Sequence, residues 1–166
     1  YITFGTAGLR GKLKAGTNCM NTYMVARASQ GIANYIKTYG PQATSKGVVI
    51  AHDCRYKSRD FCLLSAEIFA ANGIKAYIYD SLRTTPQLAY SINVLKTISG
   101  INITASHNPQ DYNGYKAYWE DGAQISNPVD EEITAEVNAV DSYSKIKQIS
   151  EEEAKEKGLY VEIGEE

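Results

Sequence analysis

The sequence predicts an α/β domain, a three-layer α/β/α sandwich with a mixed, mostly parallel sheet and one antiparallel strand after the loop that carries Ser106. Three observations predict it. From Val48 to Thr104, short apolar runs alternate with helical stripes, which is the rhythm of right-handed βαβ units and of a parallel sheet covered on both faces. After Thr104 the rhythm breaks, because the connection to Tyr115 is too short for a helical crossover, and the strand Tyr115–Trp119 must return antiparallel. With 166 residues, 43% hydrophobic and 22% charged, the chain can make one domain with a real core, or one domain plus an extension.

Taken in order, residues 1–4 read as a short strand and residues 5–16 as a glycine-punctuated loop containing Arg10, Lys12 and Lys14. Gly5 and Gly11 are separated by five residues and Lys12 is followed by Leu13, so this is not the Gly, four residues, Gly-Lys-Ser/Thr pattern of a nucleotide-binding P-loop. Asn21 is placed to cap a helix running to about Tyr39, with Met24, Ala28, Ile32, Tyr35, Ile36 and Tyr39 on one stripe. Gly40-Pro41 stops it.

Val48–Ala51 reads as a buried strand leading into His52-Asp53-Cys54-Arg55. Ligands gather beyond the carboxyl ends of strands in open α/β sheets, so Asp53 and Arg55 are candidates for binding substrate or phosphate. A plain ion pair at a strand exit is the other reading. Ser58 caps a second helix to about Asn72, residues 75–79 form a strand, and Thr85-Pro86 opens a third helix with proline at its tolerated first position. The strand 99–104 then delivers Ser106.

Beyond the antiparallel strand, Asn127-Pro128 starts a helix through about Val140, with Asp130, Glu131 and Glu132 in its favoured first turn. Ser150 and Glu153 make a capping box for a short helix, and residues 160–163 read as a last strand. Residues 1–140 are expected to be the domain that carries the serine, and 141–166 a linker toward a further domain. Tyr1 in place of methionine reads as the start of an excised piece. Glu151-Glu152-Glu153 is a solvated helix start.

Composition excludes some partners. A net charge of −2 gives no drive toward nucleic acid or anionic membrane, so any anion site must be local. Cys19, Cys54 and Cys62 form no Cys-x-x-Cys pair and leave one unpaired, which suits a reducing cytosol. No run approaches the ~18 apolar residues of a spanning helix, and the N-terminus lacks a charged-then-apolar leader pattern. A cytoplasmic location is expected.

The chemistry centres on Thr104-Ala105-Ser106-His107-Asn108-Pro109 and Tyr112-Asn113-Gly114-Tyr115-Lys116. A serine phosphate carries about two negative charges at neutral pH and three acceptor oxygens, so its loop needs cations and free backbone N–H groups. Lys116 and His107 can supply the cations, while Asn108, Asn113 and Gly114 tolerate the backbone angles that let amides converge on an anion. No Gly-x-Ser-x-Gly elbow surrounds Ser106, which argues against an α/β-hydrolase nucleophile.

These two segments resemble the active-serine loop of the α-D-phosphohexomutase family, the phosphoglucomutases and phosphomannomutases. Gly5-Thr6-Ala7-Gly8-Leu9-Arg10-Gly11 resembles the glycine-rich segment of its phosphoglucomutase and phosphopentomutase branch. The resemblance covers the first of the family's four domains. It implies phosphoryl exchange between Ser106 and a sugar phosphate, glucose 1-phosphate to glucose 6-phosphate, through a bisphosphorylated intermediate.

The same resemblance places His107 beside the phosphoserine, Lys116 near the reacting phosphate and Arg10 close to the phosphoserine, with the proton left unassigned between Arg10 and Lys116. His107 read without it could simply donate to a backbone carbonyl. Asn108, Asp53 and Arg55 are the candidate phosphate-binding residues. The resemblance also implies Mg²⁺ bridging the serine phosphate and glucose 1,6-bisphosphate as activator. Here Ser106 through its phosphate is the single metal ligand, since no Asp-x-Asp-x-Asp pattern occurs. The isolated chain is therefore expected to be inactive, with the remaining domains of the same polypeptide as its partners. Alternatives are a noncatalytic phosphosugar-binding or interaction domain, or, within the family, a phosphomannomutase or phosphopentomutase.

Overall fold

The computed structural model describes residues 1–5 and 8–164. Thr6 and Ala7 of the glycine-rich segment lie outside the described residues, as do Glu165 and Glu166. The elements are β1 (Gly8–Lys12), α1 (Thr22–Thr38), α2 (Pro41–Lys46), β2 (Val48–His52), α3 (Ser58–Ala71), β3 (Ala76–Tyr79), α4 (Thr85–Leu95), β4 (Ser99–Ile103), β5 (Tyr112–Trp119), α5 (Val129–Ala139), α6 (Glu151–Glu156) and β6 (Tyr160–Ile163). The strands form one sheet in the order β1-β5-β4-β2-β3-β6.

β2 pairs parallel with β3 and β4, and β3 with β6, whereas β5 pairs antiparallel with β4 and with β1. Only β5 runs against the rest. This is the mixed sheet the sequence predicts.

The crossovers decide which face each helix covers. From β2 the chain steps to β3 on one side through α3, then through α4 to β4 on the other side of β2. Right-handed crossovers taken in opposite directions put their helices on opposite faces. One face therefore carries α1 and α3, whose Val25, Ile32, Phe61, Ile68 and Phe69 pack on Val48, Ile50, Ile101, Ile103 and Tyr115. The other carries α4, whose Leu88 and Ile92 meet Val49, Ala51 and Tyr118. The close approach on that side needs Gly100, because a Cβ there would stand 2.5 Å from Ile92 Cδ1.

Asn21 caps α1 as expected, its side chain accepting from the Met24 N–H at 3.2 Å. Four local expectations are corrected. Residues 1–4 do not form a strand, and the first strand is β1, inside the segment read as loop. Its edge is fixed by β5: Leu9 faces Tyr115 in register and is buried, while Arg10 and Lys12 lie on the opposite side. β5 begins at Tyr112, three residues earlier than expected, because β1 pairs along that added length. Ser58 does not cap α3: Lys57 holds the cap position in a left-handed conformation (φ 66°) without a side-chain cap bond, and the serine hydroxyl is used elsewhere.

Ser150 does cap α6 through the Glu153 N–H, but the Glu153 carboxylate accepts from Lys157 rather than completing a box. Within residues 141–166, expected as linker, α6 packs on α3 and β6 extends the sheet beyond β3. All three cysteines are free. No helix among the described residues is long and apolar enough to cross a membrane.

Candidate active site

The strand order reverses direction between β2 and β4, and the crevice beyond their carboxyl ends is where this topology leaves room for a ligand. Asp53 and Arg55 follow β2 there, and the loop of residues 104–111 follows β4. An open cleft of about 650 Å³ is lined by Asp53, Cys54, Arg55, Tyr56, Ser106 and Asn108, among others.

Ser106 stands exposed at the mouth of this cleft with φ 56°. A non-glycine residue in that left-handed region costs on the order of 1–3 kcal/mol and persists only where its surroundings hold it. The surroundings are visible. The Ser106 N–H donates to Thr104 Oγ1 at 3.0 Å, and the Asn108 N–H to the Ala105 carbonyl at 3.1 Å. Ser106 Oγ lies 3.4 Å from His107 Nδ1, so the imidazole sits against the hydroxyl rather than on a backbone carbonyl.

Of the two readings of Arg55, phosphate binding or an ion pair at the strand exit, the structure shows the ion pair with Asp53 and a set of main-chain contacts. Arg55 Nη1 donates to the carbonyls of Pro109 (2.8 Å) and Tyr112 (3.1 Å), and its Nη2 to those of Ser106 (2.7 Å) and Asn108 (2.7 Å). Its Nε lies 3.2 Å from Asp53 Oδ2. Of a guanidinium's five N–H donors, the four on Nη1 and Nη2 are occupied by main-chain carbonyls, and Nε stands in ion-pair contact with Asp53. Asp53 is committed as well: its Oδ1 accepts from the Arg55 N–H at 3.0 Å and from Ser58 Oγ at 2.7 Å. Both groups are thus engaged within the turn and the serine loop.

Ser58 and Asn113 belong to the same assembly, which sequence reading missed. Asn113 Nδ2 donates to Ser58 Oγ and to the Tyr56 carbonyl, both at 2.9 Å. Asn108, also a phosphate-binding candidate, offers its carbonyl to Arg55, while its buried side-chain Oδ1 has no partner among the described residues.

Lys116 and Arg10 come together on the other side of the loop. In register, Lys116 stands between Gly8 on β1 and Asn102 on β4, and Arg10 faces Gly114, so both cations lie on the α4 face of the sheet, beyond the reach of α4. Gly114 has to be glycine: a Cβ there would stand 2.5 Å from the Thr104 carbonyl oxygen and 2.9 Å from that of Leu9. Lys116 is half-buried. Burial, and then the charge of Arg10, hold its ammonium below the usual value of 10.5. Among the described residues neither cation makes an ion pair or a side-chain hydrogen bond, so their charge remains available to an external anion.

Among the described residues no group of three or more His, Cys, Asp or Glu side chains could hold a metal ion. The carboxylate beside the loop, Asp53, is taken by Arg55 and Ser58.

Comparison with known proteins gives one consistent picture. Residues 1–144 match the family model described as phosphoglucomutase/phosphomannomutase, alpha/beta/alpha domain I. The chain is 47% identical over 134 residues, 81% of its own length and 23% of the relative, to a probable phosphoribomutase of Schizosaccharomyces pombe. It is 42% identical over 137 residues, 82% of its length and 24% of the relative, to a phosphoglucomutase of Staphylococcus haemolyticus. A solved structure from Thermus thermophilus, described provisionally as a phosphomannomutase, superposes with a TM-score of 0.79 at 25% identity, covering 98% of this chain and 33% of that one. The phosphoglucomutase parafusin of Paramecium gives a TM-score of 0.69 at 26% identity, over 89% and 26%. The chain thus spans about a quarter of the length of the curated relatives.

Proposed function

Because the chain belongs to the phosphoglucomutase/phosphomannomutase family, as its α/β/α domain I, we propose that Ser106 is the phosphoryl carrier of a sugar-phosphate mutase. The observation that carries this reading is the exposed hydroxyl of Ser106, held at φ 56° in the crevice beyond β4, with an imidazole against it. In the proposed reaction the bond between phosphorus and Ser106 Oγ breaks as a bond from phosphorus to a sugar hydroxyl forms. The sugar proton passes to a base, and the second phosphate of the bisphosphorylated sugar later returns to the serine.

Lys116 suits the base, because its lowered affinity for a proton makes the neutral amine easier to reach. Arg10 supplies positive charge to the equatorial oxygens. His107 orients the serine oxygen. On this reading the proton goes to Lys116 and the charge stabilisation to Arg10, a choice the sequence leaves open.

Among the described residues no group of His, Cys, Asp or Glu side chains forms a site for Mg²⁺. Of this chain, only a phosphate on Ser106 would reach the ion, and the remaining ligands, like the second phosphate clamp, are proposed for the portion of the relatives' length that this chain does not span. Glucose 1-phosphate and glucose 6-phosphate are the proposed substrates, with glucose 1,6-bisphosphate as the phosphoryl source. The probable phosphoribomutase among the relatives favours a second reading, ribose phosphates at the same serine.

The test uses the polypeptide that carries this domain, at the length of its curated relatives. It is incubated with glucose 1,6-bisphosphate and the phosphate is located by peptide mass spectrometry, beside Ser106→Ala. Phosphate on Ser106, and loss of turnover in the variant with both glucose and ribose phosphates, is the expected result. Stable phosphate on another serine with Ser106 unmodified defeats the proposal.

A further inference from the structure

We infer that Arg55, held by Asp53, is a positioning residue: it fastens the serine loop by four carbonyls turned inward, and so turns the N–H groups of His107 and Gln110 outward as part of a seat for phosphate on Ser106. The second half of this inference rests on the proposed role of Ser106. The first half does not.

The fastening follows from counting donors. The Ser106, Asn108, Pro109 and Tyr112 carbonyls all converge on one guanidinium at 2.7–3.1 Å, and the Arg55 side chain is only 13% exposed. Charged donors make hydrogen bonds roughly twice as strong as neutral ones, and a planar fork can bridge acceptors that a point charge cannot. The fork is itself fixed by Asp53, whose other oxygen takes the Ser58 hydroxyl, which in turn accepts from Asn113 at the far end of the loop. Both ends of the loop are thereby tied to the turn between β2 and α3.

The seat follows from peptide geometry. In a trans peptide the N–H of the next residue points opposite to the carbonyl, and the single cis bond among the described residues is Asn127-Pro128, outside this loop. With the Ser106 and Pro109 carbonyls directed at Arg55, the N–H groups of His107 and Gln110 point away from it. Both residues are exposed, His107 against Ser106 Oγ and Gln110 lining the same cleft as Ser106. An anion there would meet amide hydrogens on one side, with the carbonyl dipoles of the same peptides satisfied by Arg55 on the other.

Hydrogen exchange by NMR on the 166-residue chain tests the fastening, using Arg55→Lys, which keeps the charge and the long stem but not the fork. The Asn108 and Tyr112 amides, bonded to the Ala105 and Pro109 carbonyls, should exchange about tenfold faster or more, with Ile50 and Ile101 unchanged. Unchanged loop exchange overturns the inference. So does equal acceleration at Ile50 and Ile101, which would make Arg55 a prop of the whole fold.

The seat is tested with phosphoserine incorporated at position 106 during synthesis. Phosphate should move the His107 and Gln110 amide protons downfield in the native chain and not in Arg55→Lys, a response that a merely structural role would not produce. If neither amide responds in the native chain, the seat is wrong. Failure of bisphosphate to label Ser106 would defeat the proposed function instead, and would leave the exchange result standing.

Discussion

Tyr115 and Lys116 are neighbours on β5 and lie on opposite faces of one sheet. The Tyr115 face is covered by α1 and α3, and its phenol is fully buried in a directed chain: Tyr115 Oη donates to Ser29 Oγ (3.0 Å), Ser29 to Ser65 Oγ (3.1 Å), and Ser65 to the Phe61 carbonyl (2.7 Å). The Lys116 face has α4 over β2 and β4, meeting β5 at Tyr118, toward the end of that strand away from the serine loop. The same burial that raises the pKa of Tyr115 lowers that of Lys116, because one is charged when deprotonated and the other when protonated. A sheet with one turn of topology in its middle thus separates stability from chemistry, residue by residue.

The largest effect expected from breaking this contrast is on the open face. Lys116→Met, in a polypeptide of the relatives' full length, should lower turnover by ~10²-fold or more, the scale for losing a proton-transfer or charge-stabilising group. Stability should respond in the other direction. A lysine whose folded pKa lies below its unfolded value opposes folding at every pH below the folded pKa, and that cost is relieved as pH rises from the folded value toward 10.5. Chemical denaturation of Lys116→Met should therefore show a gain at neutral pH that shrinks through this window. Near-normal turnover would reduce Lys116 to a half-buried surface lysine.

A smaller effect is expected one residue earlier. Tyr115→Phe removes the first donor of the chain but leaves Ser29 still donating to Ser65, so the loss should be about 1 kcal/mol, read as a lowered urea midpoint, with turnover unchanged. A loss of turnover comparable to that of Lys116→Met would show that the two faces are not separate.

How much of this was legible in sequence depends on what each residue's partner is. The strands and helices from Val48 to Trp119 are written in periodicity, and the reversal at β5 in the length of one loop. β1 was not legible, because Gly8, Gly11 and two basic residues hide the single buried side chain, Leu9, and the segment becomes a strand only when β5 offers its edge. The glycine itself marks that contact: at Gly8, φ is 134° and a Cβ would stand 1.8 Å from the Tyr115 carbonyl oxygen. Ser106 and His107 were found by motif. Arg55 was legible as a cation and as one half of an ion pair with Asp53, but its main-chain acceptors were not, because no residue type announces a carbonyl.

The last and smallest effect concerns Arg10, which sits one register step from Lys116 on the same open face. With the two cations on that face, part of the downward pull on Lys116 is charge and part is burial, with burial the larger. Salt separates the two. The Debye length falls from about 10 Å at 0.1 M to about 3 Å at 1 M, so the charge contribution weakens on adding salt, while burial does not. Arg10→Gln should raise the pKa of Lys116, followed by the side-chain NMR signals of the 166-residue chain, and the rise should be larger at low salt than at 1 M. The native chain should show its own upward drift of the same pKa as salt is added, and Arg10→Gln should abolish most of that drift. A variant that titrates like the native chain at low salt would mean that Arg10 points away from Lys116, and the positive charge assigned to the transferring phosphate would then have to come from Lys116 alone.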